Sequence, residues 1–433
     1  MTADASLAAA PPAAATSRIA VVSLVGTTIE FYDFYIYGTA AALVFGQLFF
    51  PSGAREAQTL AAFLTFGIAF LARPLGAFIF GHFGDRIGRK STLVASMLVM
   101  GLSTVCIGLL PGYAAVGAWA PLLLCLLRFG QGIGLGGEWG GAALLATESA
   151  PAHRRAWFGM FPQLGPSVGF LLSNGMFLAL ALGLSDAQFL AFGWRIPFLA
   201  SIVLVSVGLY VRVQLSETPA FQKLTQTQGR VELPFKDLLQ RHGIALLQGS
   251  LAMVVCYAIF YISTVFALDY ATHIRHIPRQ TFLTALCVAV VAMAAATPIS
   301  AALADRFGRR PILLLGSSLA IVSGFLLPVM LGAQGQAGLL LFPVIQLAIM
   351  GFVFAPMGAF LPELFPTAVR YTGSSAAYSL GGILGASLAP YAATLLLAKG
   401  GLAYVGYYVS AAGLVSLLAI LSVRETGKTP TLD

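Results

Sequence analysis

The sequence predicts an all-helical integral membrane protein with twelve transmembrane helices in two pseudo-symmetric halves of six. Three observations predict this fold. The 433 residues are 58% hydrophobic and only 9% charged, whereas soluble globular proteins carry roughly 25% charged residues. The chain contains twelve apolar runs long enough to cross a bilayer. Motifs of the first half recur, in the same order, in the second half.

Each of the twelve predicted spans is an apolar run of about 20 residues or more, the length that crosses the hydrocarbon core. Because backbone polar groups in lipid must be satisfied internally, we expect these spans to be helices. The spans lie near residues 18–46, 58–82, 91–111, 119–146, 155–181, 194–213, 243–268, 280–304, 311–331, 338–362, 372–398 and 402–423. The predicted domains are a disordered cytoplasmic tail (1–17), a six-helix bundle (18–213), a cytoplasmic linker (214–242), a second bundle (243–424) and a short tail (425–433).

The basic residues predict the orientation of the spans. With the N-terminus in the cytoplasm, 17 of the 24 Lys and Arg residues lie on the cytoplasmic side and 5 lie outside. The remaining two, Arg73 and Arg128, lie within spans. This bias follows the positive-inside rule, so both termini are expected to be cytoplasmic. The net charge of +8 therefore reflects topology, and no nucleic-acid partner is expected.

An internal repeat supports two related halves. Residues 81–90 read GHFGDRIGRK, and residues 301–310 read AALADRFGRR. A second pair follows the fourth and tenth spans, as Glu148-x-x-Pro-x-x-x-Arg155 and Glu363-x-x-Pro-x-x-x-Arg370. Repeated halves around a site in the middle of the membrane are a transporter design.

The repeated loop resembles the D-R-x-G-R-[KR] signature of the major facilitator superfamily. Longer strings resemble its metabolite:H⁺ symporters, the group that contains shikimate, citrate, α-ketoglutarate and proline/betaine permeases. These strings are GTTIEFYDF (26–34), RPLG (73–76), GGEWGG (136–141), GWRIPF (193–198) and ETPAF (217–221). The resemblance implies the fold of that superfamily, transport by alternating access and a location in the bacterial inner membrane.

Five charged residues lie well inside the predicted spans, all in the first half: Glu30, Asp33, Arg73, Arg128 and Glu138. Each such charge costs about 2.5–3.5 kcal/mol on insertion scales, so all five are functional candidates. At about 1.5 Å rise per residue, Asp33, Arg73 and Arg128 fall near the middle of the membrane. We therefore expect carboxylate and guanidinium groups to pair or to share a solvated cavity.

Structural roles remain open for each of these charges. Asp33 and Arg128 could form an ion pair that only stabilises the fold, and Glu30 could support them indirectly. Arg73 precedes Pro74 and could brace a helix kink, whereas Glu138 could bond to the inner loops.

Polar residues at helical spacing predict the lining of a central cavity. The fold implied by the resemblance places helices 1, 4, 5, 7, 10 and 11 around that cavity. Packing between helices is the alternative role for these side chains. Together with Arg128 and Arg73, the candidates for substrate binding are Tyr37, Gln163, Asn174, Tyr257, Tyr261 and Tyr378.

The repeated loops are predicted to act as gates. An aspartate at a helix end can pair with a neighbouring arginine or cap a helix N-terminus. The resemblance implies that such contacts latch the cytoplasmic side, although the loops could serve only as a topology signal. The gating candidates are Gly81, Asp85, Arg86, Gly88, Arg89, Glu148, Arg155, Asp305, Arg306, Arg309, Glu363 and Arg370.

No cofactor other than a coupling proton is expected. His273 and His276 are spaced by three, but no cysteine or carboxylate ligand is evident beside them, so no metal site is predicted. The sequence contains no nucleotide-binding motif and no nucleophile constellation, which argues against an enzyme. The expected partners are a small-molecule substrate and membrane lipid, and the expected state is a monomer.

The predicted function is proton-coupled import of a small organic acid. In this mechanism Asp33, with Glu30, takes up a proton from outside and frees Arg128, or Arg73, to bind a substrate carboxylate. The alternative is a symporter of zwitterionic osmolytes such as proline or betaine. Osmosensing members of that group bear a long C-terminal coiled coil, whereas only nine residues follow Arg424 here.

Overall fold

The computed structural model describes residues 13–51, 54–87, 89–136, 138–148, 150–214, 234–332, 336–366 and 369–426. Within these ranges the regular secondary structure is entirely helical. The long helices are numbered α1 to α12, with α1–α6 forming the first half of the molecule and α7–α12 the second.

The first half contains six long helices joined by short connections. α1 spans Ala13–Ala40 and continues through a π-helical turn, Ala41–Phe45, to Gly46–Phe49. The others are α2 (Arg55–Ile87), α3 (Arg89–Leu109), α4 (Trp119–Leu135 with Glu138–Glu148), α5 (Arg155–Gly183) and α6 (Arg195–Gln214). Short turns lie at Tyr113–Val116, Ala152–Arg154 and Asp186–Gln188, the last followed by Phe189–Gly193.

The second half repeats this arrangement after a short helix at Pro234–Arg241. α7 spans Gly243–Tyr261 and continues through Ile262–Phe266, Ala267–Asp269 and Tyr270–Ile274. α8 (Arg279–Phe307), α9 (Arg309–Gly332) and α10 (Gln336–Glu363) follow. α11 begins with Arg370–Gly382 and Ile383–Ser387, and the helix Ala389–Leu421 contains the rest of α11 and all of α12.

A glycine pair separates α11 from α12. The continuous helical stretch Arg370–Leu421 has 52 residues, about 78 Å at 1.5 Å per residue, which is far longer than the bilayer core. Gly401 has φ 71°, a conformation that only glycine adopts without strain. The chain turns there, and the stretch forms two spans.

Length and hydropathy identify eight spans among the described residues, or nine with the bent pair Asp186–Gly193 and Arg195–Tyr210. Dividing Arg370–Leu421 at Gly401 adds one span. α3 contributes the shorter apolar stretch Val94–Leu109, and α1 completes the set. The prediction of twelve membrane helices is therefore confirmed.

Some predicted boundaries need correction. α1 begins at Ala13, inside the tail predicted over 1–17, because Ala13–Ala15 are strong helix formers. α7 runs to Ile274, six residues beyond its predicted end at 268. The linker predicted over 214–242 contains the helix Pro234–Arg241. Residues 1–12, 215–233 and 427–433 lie outside the described residues.

Small residues bring α2 and α4 together. The position that a Cβ would take on Gly132 lies against the backbone of Ala69 and the Cβ of Ala72. The corresponding position on Gly136 lies against the backbone of Arg73. Such close approach is typical of glycine-lined helix pairs in membranes. It places Arg73 of α2 beside α4, the helix that carries Arg128.

The two halves meet along α5 and α4 on one side and α8, α10 and α11 on the other, and α2 also contacts α11. This seam between the halves is the surface that alternating access would rearrange, so its polar contacts are of particular interest.

A methyl group at Gly132 is expected to be destabilising. In the variant Gly132→Ala the new Cβ meets α2 backbone that cannot yield, and overpacking of this kind costs about 1–3 kcal/mol. Thermal unfolding of the purified protein in detergent should show a lower melting temperature. Gly175→Ala is the matched control, because open space surrounds its Cβ position. Equal melting temperatures for the two variants would contradict the close α2–α4 packing.

Candidate transport site and gates

Asp33 lies at the centre of the first half. Its side chain is fully buried and accepts hydrogen bonds from two hydroxyls on neighbouring helices. Ser201 of α6 donates to Oδ1, and Thr104 of α3 donates to Oδ2 at 3.3 Å. Hydrogen bonds of this kind stabilise a buried carboxylate without an opposite charge.

Gln131 of α4 connects Asp33 to Arg128. Its Nε2 donates to Thr104 Oγ1 at 2.7 Å and reaches the backbone carbonyl of Asp33 at 3.5 Å. Its Oε1 accepts from Arg128 Nη1 at 2.9 Å. Among the described residues no ion pair joins Asp33 to Arg128. The expected contact between these charges is therefore indirect, because a side-chain amide occupies the space between them.

Arg128 is enclosed by aromatic rings and is fully buried. Its guanidinium lies 4.0 Å from the ring centre of Tyr37 and 4.3 Å from that of Phe34. Nη2 donates to the carbonyl of Phe66 at 3.4 Å. The Tyr37 hydroxyl is hydrogen-bonded to Thr65 at 2.6 Å. Both ends of Tyr37 are thus in contact with residues of the first half.

Arg73 lies at the seam and has free donors. Its guanidinium is 4.8 Å from the Phe34 ring and 4.9 Å from the Phe70 ring, and only 2% of the residue is exposed. Nε and Nη1 have no hydrogen-bond partner among the residues that the structure describes. A buried donor without a partner carries a cost of about 1–3 kcal/mol, more for a charged group, so this side chain is poised to receive an anion.

Aromatic residues of the second half face Arg73. Tyr257, Tyr261 and Tyr378 lie within electrostatic range of its guanidinium, as does Glu30 of the first half. The rings of Tyr257 and Tyr261 are parallel, with centres 6.5 Å apart. Three of the residues predicted to bind substrate are thereby brought to one place with Arg73.

Trp139 of α4 extends this aromatic surface across the seam. It stacks on Tyr378 with ring centres 4.0 Å apart and an angle of 7°. The side chain of Tyr378 lies within hydrogen-bonding range of that of Tyr257. Trp139 Nε1 donates to Gln163 Oε1 at 2.8 Å, and Gln163 Nε2 donates to the carbonyl of Phe354 at 2.9 Å. Both the oxygen and the nitrogen of the Gln163 side-chain amide are therefore hydrogen-bonded.

Three further candidates occupy different surroundings. Asn174 of α5 donates to the carbonyl of Leu283 in α8 at 2.9 Å, and its Oδ1 has no partner. Glu138 is 6% exposed and accepts from Ser96 at 2.8 Å, so it lies against α3. Glu30 is 2% exposed.

Asp305 joins the two halves at the end that carries the repeated loops. Its carboxylate accepts from the backbone N–H groups of Ala156 and Trp157, both at 2.9 Å. These groups belong to the first turn of α5, where the helix dipole favours an anion. Asp305 also pairs with Arg309 at 3.2 Å. A residue of the second half thus caps a helix of the first.

The second repeated motif exchanges charges across the same end. Arg370 of the second half pairs with Glu148 of the first at 3.4 Å. In the reverse sense, Arg155 of the first half lies within electrostatic range of Glu363 of the second. All four residues line one cleft. The pattern is pseudo-symmetric because each half supplies the arginine for the carboxylate of the other.

Other gating candidates make contacts within the second half. Arg309 pairs with Glu363 at 3.3 Å, and Glu425 accepts from the backbone N–H groups of Arg309 and Arg310 at 2.8 and 3.0 Å. Arg306 packs on Phe307. The structure describes only the helical backbone at Gly81, Asp85, Arg86 and Arg89 and leaves Gly88 out, so their contacts lie outside the described part of the chain.

The two halves are also in contact at the end of the seam opposite the repeated loops. Arg279 at the start of α8 pairs with Asp186 at 2.9 Å and lies 4.0 Å from the Phe189 ring centre. Contacts between the halves therefore occur at both ends of the seam.

The described residues contain no group of three His, Cys, Asp or Glu side chains that could hold a metal ion. His273 does have a carboxylate neighbour, because α7 extends far enough to place Asp269 one turn before it, at 2.6 Å.

Comparison with known proteins agrees with this architecture. The model of the family described as "Sugar (and other) transporter" matches residues 19–242 and again residues 224–429, once for each half. The chain belongs to this family of the major facilitator superfamily. It is a small-molecule transporter of the inner membrane and not an enzyme.

The chain is 50% identical over 420 residues to the inner membrane metabolite transport protein YhjE of Escherichia coli, covering 96% of each sequence. It is 39% identical to the shikimate transporter of the same organism, covering 94% of each. A crystal structure of a D-xylose-proton symporter has the same fold, with a TM-score of 0.73 at 20% identity, covering 95% of this chain and 99% of that one.

Sequence reasoning missed four residues of this transporter that contact the predicted site: Thr104, Gln131, Trp139 and Ser201. Gln131 could have been found, because it follows Arg128 by three residues and so shares a helix face with it. Thr104 and Ser201 are single hydroxyls in apolar helices, and they carry no signal of their own until the helices are packed.

Removing the Asp305 cap should loosen the end that carries the repeated loops. In Asp305→Ala two α5 N–H groups lose their acceptor. We expect faster maleimide labelling of a cysteine placed at Ala359, which lines the adjacent cleft, in a background without the four native cysteines. Arg310→Ala is the control, since Arg310 binds carbonyls within its own half. Unchanged labelling in Asp305→Ala would contradict a latch at this residue.

Proposed function

We propose that this transporter couples proton entry to the uptake of a small carboxylate-bearing metabolite by alternating access. The observation that carries the proposal is Arg73, a buried guanidinium at the seam with two N–H groups that lack partners. A substrate carboxylate supplies the acceptors that these donors need, through charge-assisted hydrogen bonds.

Arg73 suits substrate binding better than Arg128 does. Arg128 already donates to Gln131 and to the Phe66 carbonyl, and rings of the first half enclose it. Arg73 lies within electrostatic range of Tyr257, Tyr261 and Tyr378 of the second half, and of these three Arg128 is in range of Tyr261. A ligand held between Arg73 and these tyrosines would contact both halves at once, so its binding would bias how they are arranged.

Asp33 suits the role of proton carrier. An isolated carboxylate in a dry interior relieves the cost of its charge by taking up a proton. Among the described side chains, two hydroxyls and no guanidinium contact the Asp33 carboxylate. Together the five buried charges are three carboxylates and two guanidiniums, so one added proton makes the set neutral.

A zwitterionic osmolyte is the second candidate substrate. The stacked rings of Trp139 and Tyr378 offer a face that could attract a quaternary ammonium group, while Arg73 would take the carboxylate. This alternative shares the anion site with the first proposal and differs in what binds the remainder of the molecule.

Uptake into proteoliposomes with an imposed pH gradient tests the proposal. Shikimate, its uncharged methyl ester and glycine betaine form the initial panel. We expect accumulation of the acid, driven by an acidic exterior, and none of the ester. Accumulation of betaine alone would favour the osmolyte function. Equal transport of the acid and the ester would overturn carboxylate recognition.

Asp33→Asn should abolish accumulation driven by the pH gradient, because an amide cannot carry the proton. Exchange of substrate across the membrane, which moves no net proton, should be less affected. Both are measured with the acid that the panel identifies. Glu56→Gln makes the same chemical change at an exposed site and serves as the control. Normal uphill transport by Asp33→Asn would exclude Asp33 as the carrier.

Arg73→Lys should raise the KM for the acid roughly tenfold or more, since hydrogen bonds to charged groups contribute about 1.5–3 kcal/mol and lysine cannot reproduce guanidinium geometry. Arg195→Lys, at a site that donates to the Leu110 carbonyl, is the matched control. An unchanged KM in Arg73→Lys would remove the anion site from Arg73.

A further inference from the structure

A continuous chain of contacts links the predicted proton site to the predicted substrate site. Asp33 is bonded to Thr104, Thr104 to Gln131, and Gln131 to Arg128. The Phe34 ring then lies between two guanidiniums, 4.3 Å from Arg128 and 4.8 Å from Arg73.

We infer that Thr104 and Gln131 form a hydrogen-bond switch that reports the protonation of Asp33 to Arg128 and, through the Phe34 ring, to Arg73. The inference rests on the proposed function and names two positioning residues that couple proton to substrate. Neither residue needs to touch the substrate.

The orientation of the Gln131 amide is dictated by its neighbours. Arg128 can only donate hydrogen bonds, and the backbone carbonyl of Asp33 can only accept them. Oε1 must therefore point to Arg128 and Nε2 to Thr104 and the Asp33 carbonyl, as observed. The amide also keeps the guanidinium from pairing directly with the Asp33 carboxylate, a pairing that would hold the carboxylate in its charged form.

The hydroxyl of Thr104 can adopt two orientations. Its hydroxyl has one proton and two acceptors within reach, Asp33 Oδ2 at 3.3 Å and the Met100 carbonyl at 2.9 Å. While Asp33 is charged, the hydroxyl donates to Oδ2. When a proton binds Oδ2, the acid becomes the donor to Thr104 Oγ1, and the Thr104 hydroxyl turns to Met100.

Protonation therefore changes the bond between Thr104 and Gln131. In the charged state Thr104 Oγ1 accepts from Gln131 alone. In the neutral state it accepts from both Gln131 and Asp33, which fills both of its acceptor positions. Gln131 then competes for one oxygen, and because its amide is rigid, a change at Nε2 moves Oε1 against Arg128.

Few other titratable groups face Asp33. Tyr32 on the same helix lies in electrostatic range, and its hydroxyl donates to the Pro197 carbonyl at 2.9 Å. Glu30 lies three residues earlier on α1. From α3 and α6 the neighbours are the uncharged hydroxyls of Thr104 and Ser201. From α4, Arg128 reaches Asp33 through Gln131.

Infrared titration of the purified full-length protein tests the first step without any substrate. The carbonyl stretch of protonated Asp33 is the band that disappears in Asp33→Asn, and its midpoint pH is measured in each variant. Thr104→Val has the same shape but no donor to the carboxylate. Its midpoint should rise by about one pH unit, a tenfold gain in proton affinity, because the hydrogen bond that the charged form loses is stronger than the one that the neutral acid loses. Thr104→Ser keeps the hydroxyl and should titrate as the wild type does.

The second step is tested with Gln131→Leu, again with shikimate as the transport probe. This variant keeps the Thr104 donor, so its infrared midpoint should stay within about half a pH unit of the wild-type value. Accumulation driven by the pH gradient should fall at least tenfold, while downhill entry of shikimate continues. A purely structural role would reduce both kinds of transport together.

The outcomes distinguish failure of the proposed function from failure of the switch alone. If no band titrates with Asp33, or if wild-type uptake ignores the pH gradient, the proposed function fails. If Asp33 titrates in the wild type but Thr104→Val leaves its midpoint unchanged, only the switch is overturned. If Gln131→Leu accumulates shikimate to the wild-type level, the switch is likewise overturned and the proposed function is unaffected. If Thr104→Val does not fold, Gln131→Leu still decides the question.

Discussion

The structure depends on one constraint: charges buried in a membrane interior must be stabilised where water is scarce. A direct ion pair is one solution, but a close pair resists both protonation and binding of an external anion. Here hydroxyls contact Asp33, and an amide and aromatic rings surround Arg128. The charges are thereby held by neutral groups, which stabilise them without cancelling them.

This arrangement assigns different surroundings to the two arginines. Arg128 lies on α4, which packs closely on α2 at Gly132 and Gly136, and its hydrogen bonds are to Gln131 and Phe66 of the first half. Arg73 lies at the seam, where Tyr257 and Tyr378 come from the second half. A rearrangement of the halves therefore changes the position of three tyrosines near Arg73 and of one, Tyr261, near Arg128.

The sequence predicts much of this architecture, because bilayer thickness and backbone hydrogen bonding leave few choices for an apolar chain. The twelve helices, the duplicated halves and the five buried charges could all be inferred. The end of α7 could not, since Asp269 and His273 look like loop residues until their helix is seen to continue. The partner of Asp33 could not be inferred either, because depth along a helix gives height in the membrane but not the side chains that packing inserts between two charges.

The same limit applies to the two arginines. Both are cations near the middle of the membrane, and the sequence gives no reason to prefer one as the anion site. The distinction arises from three-dimensional contacts. Gln131 and the Phe66 carbonyl accept from two nitrogens of Arg128 and leave its Nε without a partner among the described residues. Arg73 has two nitrogens without such a partner, and it lies at the seam. The hydrogen-bond partners in the folded protein therefore distinguish the two arginines as candidate anion sites, whereas their charge and depth in the membrane do not.

The polar contacts at the two ends of the seam differ in strength. At the end with the repeated loops, Asp305 is largely buried, with 11% of its side chain exposed, and it binds two backbone N–H groups of α5. At the opposite end Arg279 pairs with Asp186, whose side chain is 90% exposed, and exposed pairs contribute only about 0–1 kcal/mol. The Arg279–Asp186 pair is thus easier to break than the Asp305 cap at the other end. With the orientation that the basic residues predict, that end faces outward, where both the proton and the substrate of an importer must enter.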